Sequence, residues 1–338
     1  MRRIYPILMF IPALLLLASC NIRDEYDDCG VYLKFVFDYN MEYSDSFDPQ
    51  VETIDVYIFD GDGRYLFTRS AECSELHNRN MMLLSDGLAF GSYQILTVGG
   101  ACEHFAFTDL DGKDFVPGVT TIEQAKLALA REIGEVSHEF PHLWFGQTVA
   151  INYKADLTVW PIHLIRQTNR FHITLENVDE KTGMDTPTVS PYTFEIVTPE
   201  GAVYDYNNNP LVRETVVYRP YSLAQGIESN SLSRAKINTM RLFGSDEDGY
   251  RIIVRTNSVT RDGVSEVWNY DLMALLNGVK PDTRPDGTTL PLQEFLDRQG
   301  EWNIVILHRG GTAESNEGFL ALGVRINDWI VWFNDIGV

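Results

Sequence analysis

Basic residues are scarce in this chain of 338 residues, which has 27 lysines and arginines against 48 aspartates and glutamates. The formal net charge is −21 at pH 7. A protein that neutralises phosphate groups needs clustered lysine and arginine. The composition therefore argues against nucleic acid as a partner and against electrostatic adhesion to anionic membranes.

The sequence also lacks the short patterns of several catalytic and cofactor sites. It contains no C-x-x-C pair, no G-x-S-x-G elbow and no glycine-rich phosphate-binding loop. We therefore expect no enzyme activity, no catalytic residue and no bound metal. We expect no cofactor, and the one expected non-protein group is a covalently attached lipid.

One pattern, His138-Glu139-Phe140-Pro141-His142, matches the zinc-protease motif H-E-x-x-H. That chemistry needs both histidines on one face of a helix. Pro141 disfavours a helix here, because it removes a backbone donor and crowds the preceding turn. The segment is predicted to be a loop, and metal-dependent hydrolysis would require His138 and His142 to converge on a metal.

Long apolar runs are absent except at the N-terminus, where Ile4 to Leu17 follow two arginines. This run is shorter than the ~20 residues that span a bilayer. The sequence Leu17-Ala18-Ser19-Cys20 then resembles a lipobox, whose cysteine thiol forms a thioether with diacylglycerol before further acylation, for example by palmitate. We predict a lipoprotein signal peptide over residues 1–19 and an exported lipoprotein anchored through Cys20.

Residues 20–30 are predicted to form an acidic tether, which includes Asp24-Glu25-Tyr26-Asp27-Asp28. Its charge either keeps the folded body clear of the membrane or, as in similar Bacteroidetes lipoproteins, signals display on the cell exterior. Removal of residues 1–19 takes away Arg2 and Arg3 and changes the formal charge from −21 to −23.

Only four cysteines are present, and Cys20 is one of them. The other three allow at most one internal disulfide in an oxidising compartment. Cys29 precedes the first predicted strand and Cys102 follows a later one. We predict that these two pair, which leaves Cys73 as a free thiol.

Most of the chain alternates apolar and polar residues with the period of a β-strand. The turn Asp60-Gly61-Asp62-Gly63 joins two such segments as a hairpin, and a calcium loop there would lack its bidentate glutamate. The strand candidates are Val31–Tyr39, Ile54–Phe59, Arg64–Thr68, Tyr93–Val98, Leu157–Ile165, Phe171–Leu175, Tyr192–Val197, Tyr250–Arg255, Trp302–His308, Phe319–Ile326 and Trp329–Asn334.

Few segments favour helix. Thr120 and Glu123 fit a capping box, and Ile122, Ala125, Leu129 and Ile133 would line one side of a helix that ends at Gly134. Two short helical turns are predicted at Leu272–Leu276 and Leu292–Leu296.

Many short strands and few helices favour a mostly β chain built as antiparallel sandwiches. The length suits two domains. A break near Gln167-Thr168-Asn169-Arg170 divides the chain into an N-terminal β-sandwich domain, 31–168, and a C-terminal β-sandwich domain, 169–338.

Several segments resemble the Bacteroidales fimbrial anchor family of minor fimbrial subunit lipoproteins. The resemblance covers five segments of the sequence. They are the N-terminal segments Val31–Met41 and Val51–Asp60, the motif Leu143-Trp144-Phe145-Gly146, the motif Gln293-Glu294-Phe295-Leu296-Asp297-Arg298-Gln299 and the closing segment Val324–Ile336. Two features depart from the family pattern: Asp328 replaces the usual small residue before Trp329, and Cys73 has no counterpart.

The resemblance implies two tandem transthyretin-like Greek-key β-sandwich domains and a protein that holds a fimbria in the outer membrane and limits its length. The expected partners are a fimbrial stalk subunit and, through the lipid, the membrane. The closing segment is a candidate for a strand that engages the stalk subunit. Its apolar residues are Trp329, Val331, Phe333 and Ile336.

Two alternatives stand beside this reading. The closing segment can equally be the last core strand of the C-terminal domain. The whole chain can instead be a surface adhesin or glycan-binding module, which should have a shallow groove lined by aromatic residues at one end of a sandwich.

Overall fold

The computed structural model describes residues 30–84, 87–130, 134–154, 156–177, 192–225, 231–244, 249–259, 265–309, 320–327 and 329–332. Within these ranges the chain is mostly β-strand, as predicted. The strands up to residue 166 are β1 (Val31–Val36), β2 (Thr53–Asp60), β3 (Tyr65–Glu72), β4 (Met81–Leu83), β5 (Gly91–Gly99), β6 (Phe105–Thr108), β7 (Lys126–Leu129), β8 (Glu135–Val136), β9 (Trp144–Tyr153) and β10 (Thr158–Arg166).

The strands that follow are β11 (Thr168–Asn177), β12 (Tyr192–Glu200), β13 (Val203–Asp205), β14 (Arg213–Tyr218), β15 (Ser222–Gln225), β16 (Ser231–Met240), β17 (Arg251–Val259), β18 (Ser265–Asp271), β19 (Glu301–Arg309), β20 (Leu320–Ile326) and β21 (Trp329–Trp332). Three short helices are described: α1 (Phe47–Gln50), α2 (Leu272–Gly278) and α3 (Leu292–Arg298). The last two confirm the helical turns predicted from the sequence. None of the described helices is long and apolar enough to cross a bilayer.

The strands form four sheets. A seven-stranded sheet has the order β3-β2-β5-β9-β10-β1-β4, and a six-stranded sheet has the order β15-β16-β11-β19-β20-β21. A five-stranded sheet has the order β18-β17-β12-β14-β8, and a three-stranded sheet has the order β13-β7-β6. Most neighbours are antiparallel, but β1 runs parallel to β10 and β11 runs parallel to β19.

We call the residues up to 166 the first part of the chain and the residues that follow the second part. Strands from the two parts pair with each other in the two smaller sheets. Strand β8 lies parallel to β14, with Val217 opposite Glu135. Strand β13 pairs antiparallel with β7, with Tyr204 opposite Leu127. The domain boundary between residues 168 and 169 stays a prediction. With a boundary at this place, β7 and β8 of the N-terminal domain pair with strands of the C-terminal domain.

The buried apolar side chains form two clusters. One lies against the seven-stranded sheet and includes Phe35, Phe47, Ile95 and Trp144. The second contains residues from both parts of the chain, from Phe59 to Ile326. The shared cluster holds the two parts together through the same hydrophobic effect that stabilises each sheet.

The predicted helix from Thr120 to Gly134 is wrong. In the described residues 120–130 the only helical element is a 3₁₀ turn, Ile122–Gln124, and Thr121 and Gln124 make its capping box. The chain then enters β7, in which Leu127 and Leu129 are buried. The spacing Leu127-x-Leu129 has the period of a strand, and hydrogen bonding to β6 and β13 decides the conformation over local helix propensity.

The hairpin predicted at Asp60-Gly61-Asp62-Gly63 is confirmed. The Oδ1 atom of Asp60 accepts hydrogen bonds from the backbone N–H groups of Asp62, at 2.9 Å, and Arg64, at 2.8 Å. The carboxylate of Asp60 therefore stabilises the turn itself.

Candidate functional site

Strand β21 forms one edge of the six-stranded sheet, and no described strand lies beyond it. It pairs antiparallel with β20, so that Trp329 lies opposite Ile326 and Ile330 lies opposite Arg325. An edge strand presents unpaired backbone N–H and C=O groups, which can bind another strand.

The side chains at the start of β21 are apolar and exposed on both faces of the sheet. Trp329 is 64% exposed and shares the face of the buried Ile326, whereas Ile330 is 52% exposed and shares the face of Arg325. Burial between layers therefore does not explain why Trp329 and Ile330 are apolar. The backbone of Val331 lies in the strand, while Phe333 and Ile336 lie outside the described residues.

A depression of about 740 Å³ lies beside this edge, on the Arg325 face of the sheet. Its lining residues are Gln299, Glu301, Asn303, Val305, Arg325 and Asn327. Apart from Val305 these residues are polar. The depression therefore differs from the aromatic-lined groove that a glycan-binding module should have.

The residues of the H-E-x-x-H pattern lie in a loop, as predicted, and the two histidines have separate partners. The ring of His138 stacks on His104 with 4.9 Å between centroids. His142 contacts Thr168 through Nδ1 at 3.0 Å and Glu301 through Nε2 at 3.1 Å.

Burial lowers the pKa of His142, and the contact with Glu301 opposes this shift. A neutral ring with its hydrogen on Nε2 donates to Glu301 and accepts from the Thr168 hydroxyl. Both ring nitrogens of His142 are thus occupied by protein. Among the described residues no cluster of histidine, cysteine and carboxylate groups has the arrangement of a metal site.

The cysteines divide between the described and undescribed parts of the chain. Cys73 is a buried free thiol, and burial raises its pKa to about 11, which makes it a poor nucleophile. Cys102 is half-buried and has no disulfide partner within the described ranges. Cys20 and Cys29 lie outside the described residues, so the lipid site and the predicted Cys29–Cys102 pair stay predictions.

The Gln293–Gln299 motif lies on α3 and at its end, and its two carboxylates form buried or half-buried ion pairs. Asp297 accepts from Arg241 through both oxygens, at 2.6 and 2.7 Å. Glu294 accepts from Arg298 at 2.8 Å and from Arg284 at 2.8 Å.

Arg298 connects α3 to the segment that follows β1. Its guanidinium carbon lies 4.2 Å from the ring centroids of both Tyr39 and Tyr43. Its Nη1 donates to the carbonyl oxygens of Asp38, at 2.9 Å, and Asn40, at 3.1 Å. We call the set Glu294, Asp297 and Arg298 with these partners the α3 latch.

The sequence resemblance identified the Gln293–Gln299 motif but not its role in the ion pairs of the α3 latch. Arg241, which pairs with Asp297, is 56 residues away, and the carbonyls that bind Arg298 are 258 to 260 residues away. No local pattern could identify these distant partners. The Leu143–Gly146 motif is also structural. A Cβ on Gly146 would lie 2.8 Å from Cγ2 of Ile162 and 2.9 Å from Cβ of Thr97, so only glycine fits.

Comparison with known proteins places these features in one family. The family model of the fimbrillin-A associated anchor proteins Mfa1 and Mfa2 matches residues 26–335. The crystal structure of a proposed adhesin from Bacteroides ovatus is 42% identical in sequence with a TM-score of 0.80, and the match covers 90% of this chain and 96% of that chain. No curated protein matches the sequence.

Two further solved structures share the fold. A proposed polysaccharide-binding protein from Bacteroides thetaiotaomicron is 28% identical with a TM-score of 0.73, covering 90% of this chain and 98% of that chain. The fimbrial anchor protein Mfa2 from Porphyromonas gingivalis is 17% identical with a TM-score of 0.62, with the same coverage of both chains. The latter match shows the fold alone.

The family model spans nearly all of the chain, including β1, the α3 latch and β21, and the resemblance seen in the sequence is confirmed. The chain belongs to the family of fimbrillin-A associated anchor proteins.

Proposed function

We propose that this protein is a non-catalytic lipoprotein of the outer membrane that holds a fimbria at its base and limits its length. Family membership supports a fimbria-associated protein of the cell surface. The lipobox ending at Cys20 supplies the attachment to the membrane. The acidic residues of the tether fit display on the cell exterior.

The observation that carries the proposal is the exposed edge strand β21. A fimbrial stalk subunit with an unpaired strand or an open sheet groove can bind this edge through backbone hydrogen bonds. Trp329 and Ile330 would then be buried, and full burial of such side chains contributes about 1.5–3 kcal/mol each. In the single chain these side chains are 64% and 52% exposed, so most of their surface is available for this contact.

The test is a strain that lacks the protein and expresses the cognate fimbriae. We expect longer fimbriae by electron microscopy and a large fraction of them shed into the medium. Wild-type protein should restore short, attached fimbriae, and Cys20→Ala should not, because the variant cannot be acylated. Cys73→Ala is the matched control, since it removes a different cysteine and should restore attachment.

A surface adhesin is the second candidate, because the 42% identical structure is that of a proposed adhesin. The two functions predict different phenotypes. An adhesin without an anchoring role leaves fimbriae attached and of normal length when the protein is deleted, and reduces only binding of the cells to their target. The polar lining of the depression beside β21 gives this candidate no aromatic platform for sugar rings.

A further inference from the structure

The tether joins the fold at one end of the seven-stranded sheet, which we call the tether end. The carbonyl of Gly30 accepts a hydrogen bond from the backbone N–H of Thr158 at 3.0 Å, and Val31 lies opposite Thr158 in the β1–β10 pair. The other end of β10, at Arg166, leads into β11. The tether end therefore lies at the end of the sheet opposite the connection to the second part of the chain.

Apolar side chains are exposed at the tether end. Phe90 is 67% exposed, and Leu157, directly before β10, is 44% exposed. Phe90 packs edge-to-face on Tyr153, with 5.0 Å between ring centroids. Gly91 and Tyr153 are opposite each other in the β5–β9 pair, so this aromatic pair lies at the same end as Thr158.

The apolar surface of the tether end is held in place by the fold below it. Leu88, Tyr153 and Trp160 pack partly buried against the first core cluster. The hydroxyl of Tyr93 donates to the carbonyl of Ala89 at 2.7 Å, which fixes the backbone next to Phe90. Exposed apolar side chains that lie together at one end of a sheet are typical of a protein or membrane contact surface.

The position of the lipid site indicates what covers this surface. If Cys20 is acylated, as the proposed function requires, the lipid site lies ten residues before Gly30 in the chain. Such a tether reaches at most about 33–36 Å when fully extended. The tether end is therefore held within this distance of the lipid headgroups.

We propose that the tether end is a second membrane contact, in which Phe90 and Leu157 enter the boundary between headgroups and acyl chains and Tyr153 lies at the interface. Aromatic side chains with one polar atom favour this depth. The contact is apolar and needs no anionic lipid, which suits a chain with a net charge of −21. It would hold the fold in one orientation, with the second part of the chain directed away from the membrane.

The test uses the full chain, expressed with its own signal peptide and reconstituted in phosphatidylcholine vesicles that contain a lipid with a photoreactive diazirine on its acyl chain. After irradiation, labelled peptides are identified by mass spectrometry. We expect peptides with Phe90 or Leu157 to be labelled about tenfold more than the peptide with Leu211 and Val212. Those two side chains are a fair reference, because each is 41% exposed and lies in the second part of the chain.

Variants separate contact from mere proximity. Phe90→Ser with Leu157→Ser should abolish labelling of the Tyr153 peptide, while Leu211→Ser with Val212→Ser should leave it unchanged. Labelling confined to the tether peptide would overturn the second contact and leave lipid anchoring intact. Absence of label from every peptide would overturn both, and crosslinking of Phe90 to a second copy would assign this surface to a dimer instead.

Discussion

The α3 latch and the edge strand β21 lie within 40 residues of each other in the chain and use their side chains in opposite ways. In the latch, charged groups are buried, and each has a partner: Asp297 is 3% and Arg241 11% exposed at the side chain. In β21, the apolar side chains of Trp329 and Ile330 are more than half exposed, and no strand of the described ranges pairs beyond them. The polar Gln293–Gln299 motif is thus internal structure, whereas the apolar start of β21 is a surface available to a partner.

This difference has a physical reason. A buried ion pair must be complete, because removal of one member leaves a desolvated charge behind. An exposed tryptophan and isoleucine at a sheet edge stabilise the single chain little, yet they offer a large gain when another chain covers them. Substitutions should therefore affect stability in the latch and binding in β21.

The largest expected effect on stability is that of Asp297→Ala, which leaves Arg241 buried without its bidentate partner. We expect the free energy of unfolding to fall by about 3–5 kcal/mol. Urea denaturation followed by tryptophan fluorescence measures it. Asp62→Ala is the control, because the Asp62–Arg64 contact is exposed and 3.8 Å long and should be worth less than about 1 kcal/mol. Equal losses in the two variants would contradict the importance of the latch.

The next effect is that of Gly146→Ala in β9, which forces a methyl group against Ile162 and Thr97. Overpacking of this kind costs about 1–3 kcal/mol. The melting temperature of the variant should fall, whereas Gly91→Ala should change it little, because its nearest neighbour would be the Tyr93 hydroxyl at 3.8 Å. Unchanged stability of Gly146→Ala would show that the strands around it can separate without cost.

A smaller effect concerns pH. The hydrogen bond with Arg284, together with Arg298, lowers the pKa of Glu294 from 4.5 to about 2 in the folded chain. Because the folded value is the lower one, the stabilisation is complete above pH about 4.5 and is lost as the pH falls towards about 2. We expect Glu294→Gln to lose less unfolding free energy than wild type over this interval. Parallel curves for the two proteins, measured by urea unfolding at each pH, would contradict the assignment.

The smallest effect on stability is expected for Trp329→Ser with Ile330→Ser. Both side chains are more than half exposed, so the free energy of unfolding should change by no more than about 0.5 kcal/mol per residue. Thermal unfolding of the purified variant measures this. A loss as large as that of Asp297→Ala would mean that β21 serves the fold of the single chain, as a last core strand would.

The sequence predicted well those elements whose pattern is local. Alternation identified β1, β2 and β5, because alternate residues of each strand pack into the same core. Strands such as β16 were missed, since its residues Ser231 to Asn238 are largely polar. The error at 120–134 has the same origin, because pairing with β6 and β13 is a tertiary property.

The candidate site divides in the same way. The sequence shows that Trp329 and Ile330 are apolar. Their exposure, however, depends on the position of β21 as the last described strand of its sheet. The α3 latch could not be predicted, because Arg298 meets Tyr39 and Tyr43 only after the two parts of the chain have folded against each other.

The most direct test of the account is fimbrial retention by cells that carry Trp329→Ser with Ile330→Ser in place of the wild-type protein. Leu211→Ser with Val212→Ser serves as the matched control. We predict that the β21 variant reaches the outer membrane in normal amount yet sheds its fimbriae into the medium, as the deletion strain does, while the control retains them. Retention of short, attached fimbriae by the β21 variant would contradict the assignment of this edge to the stalk subunit.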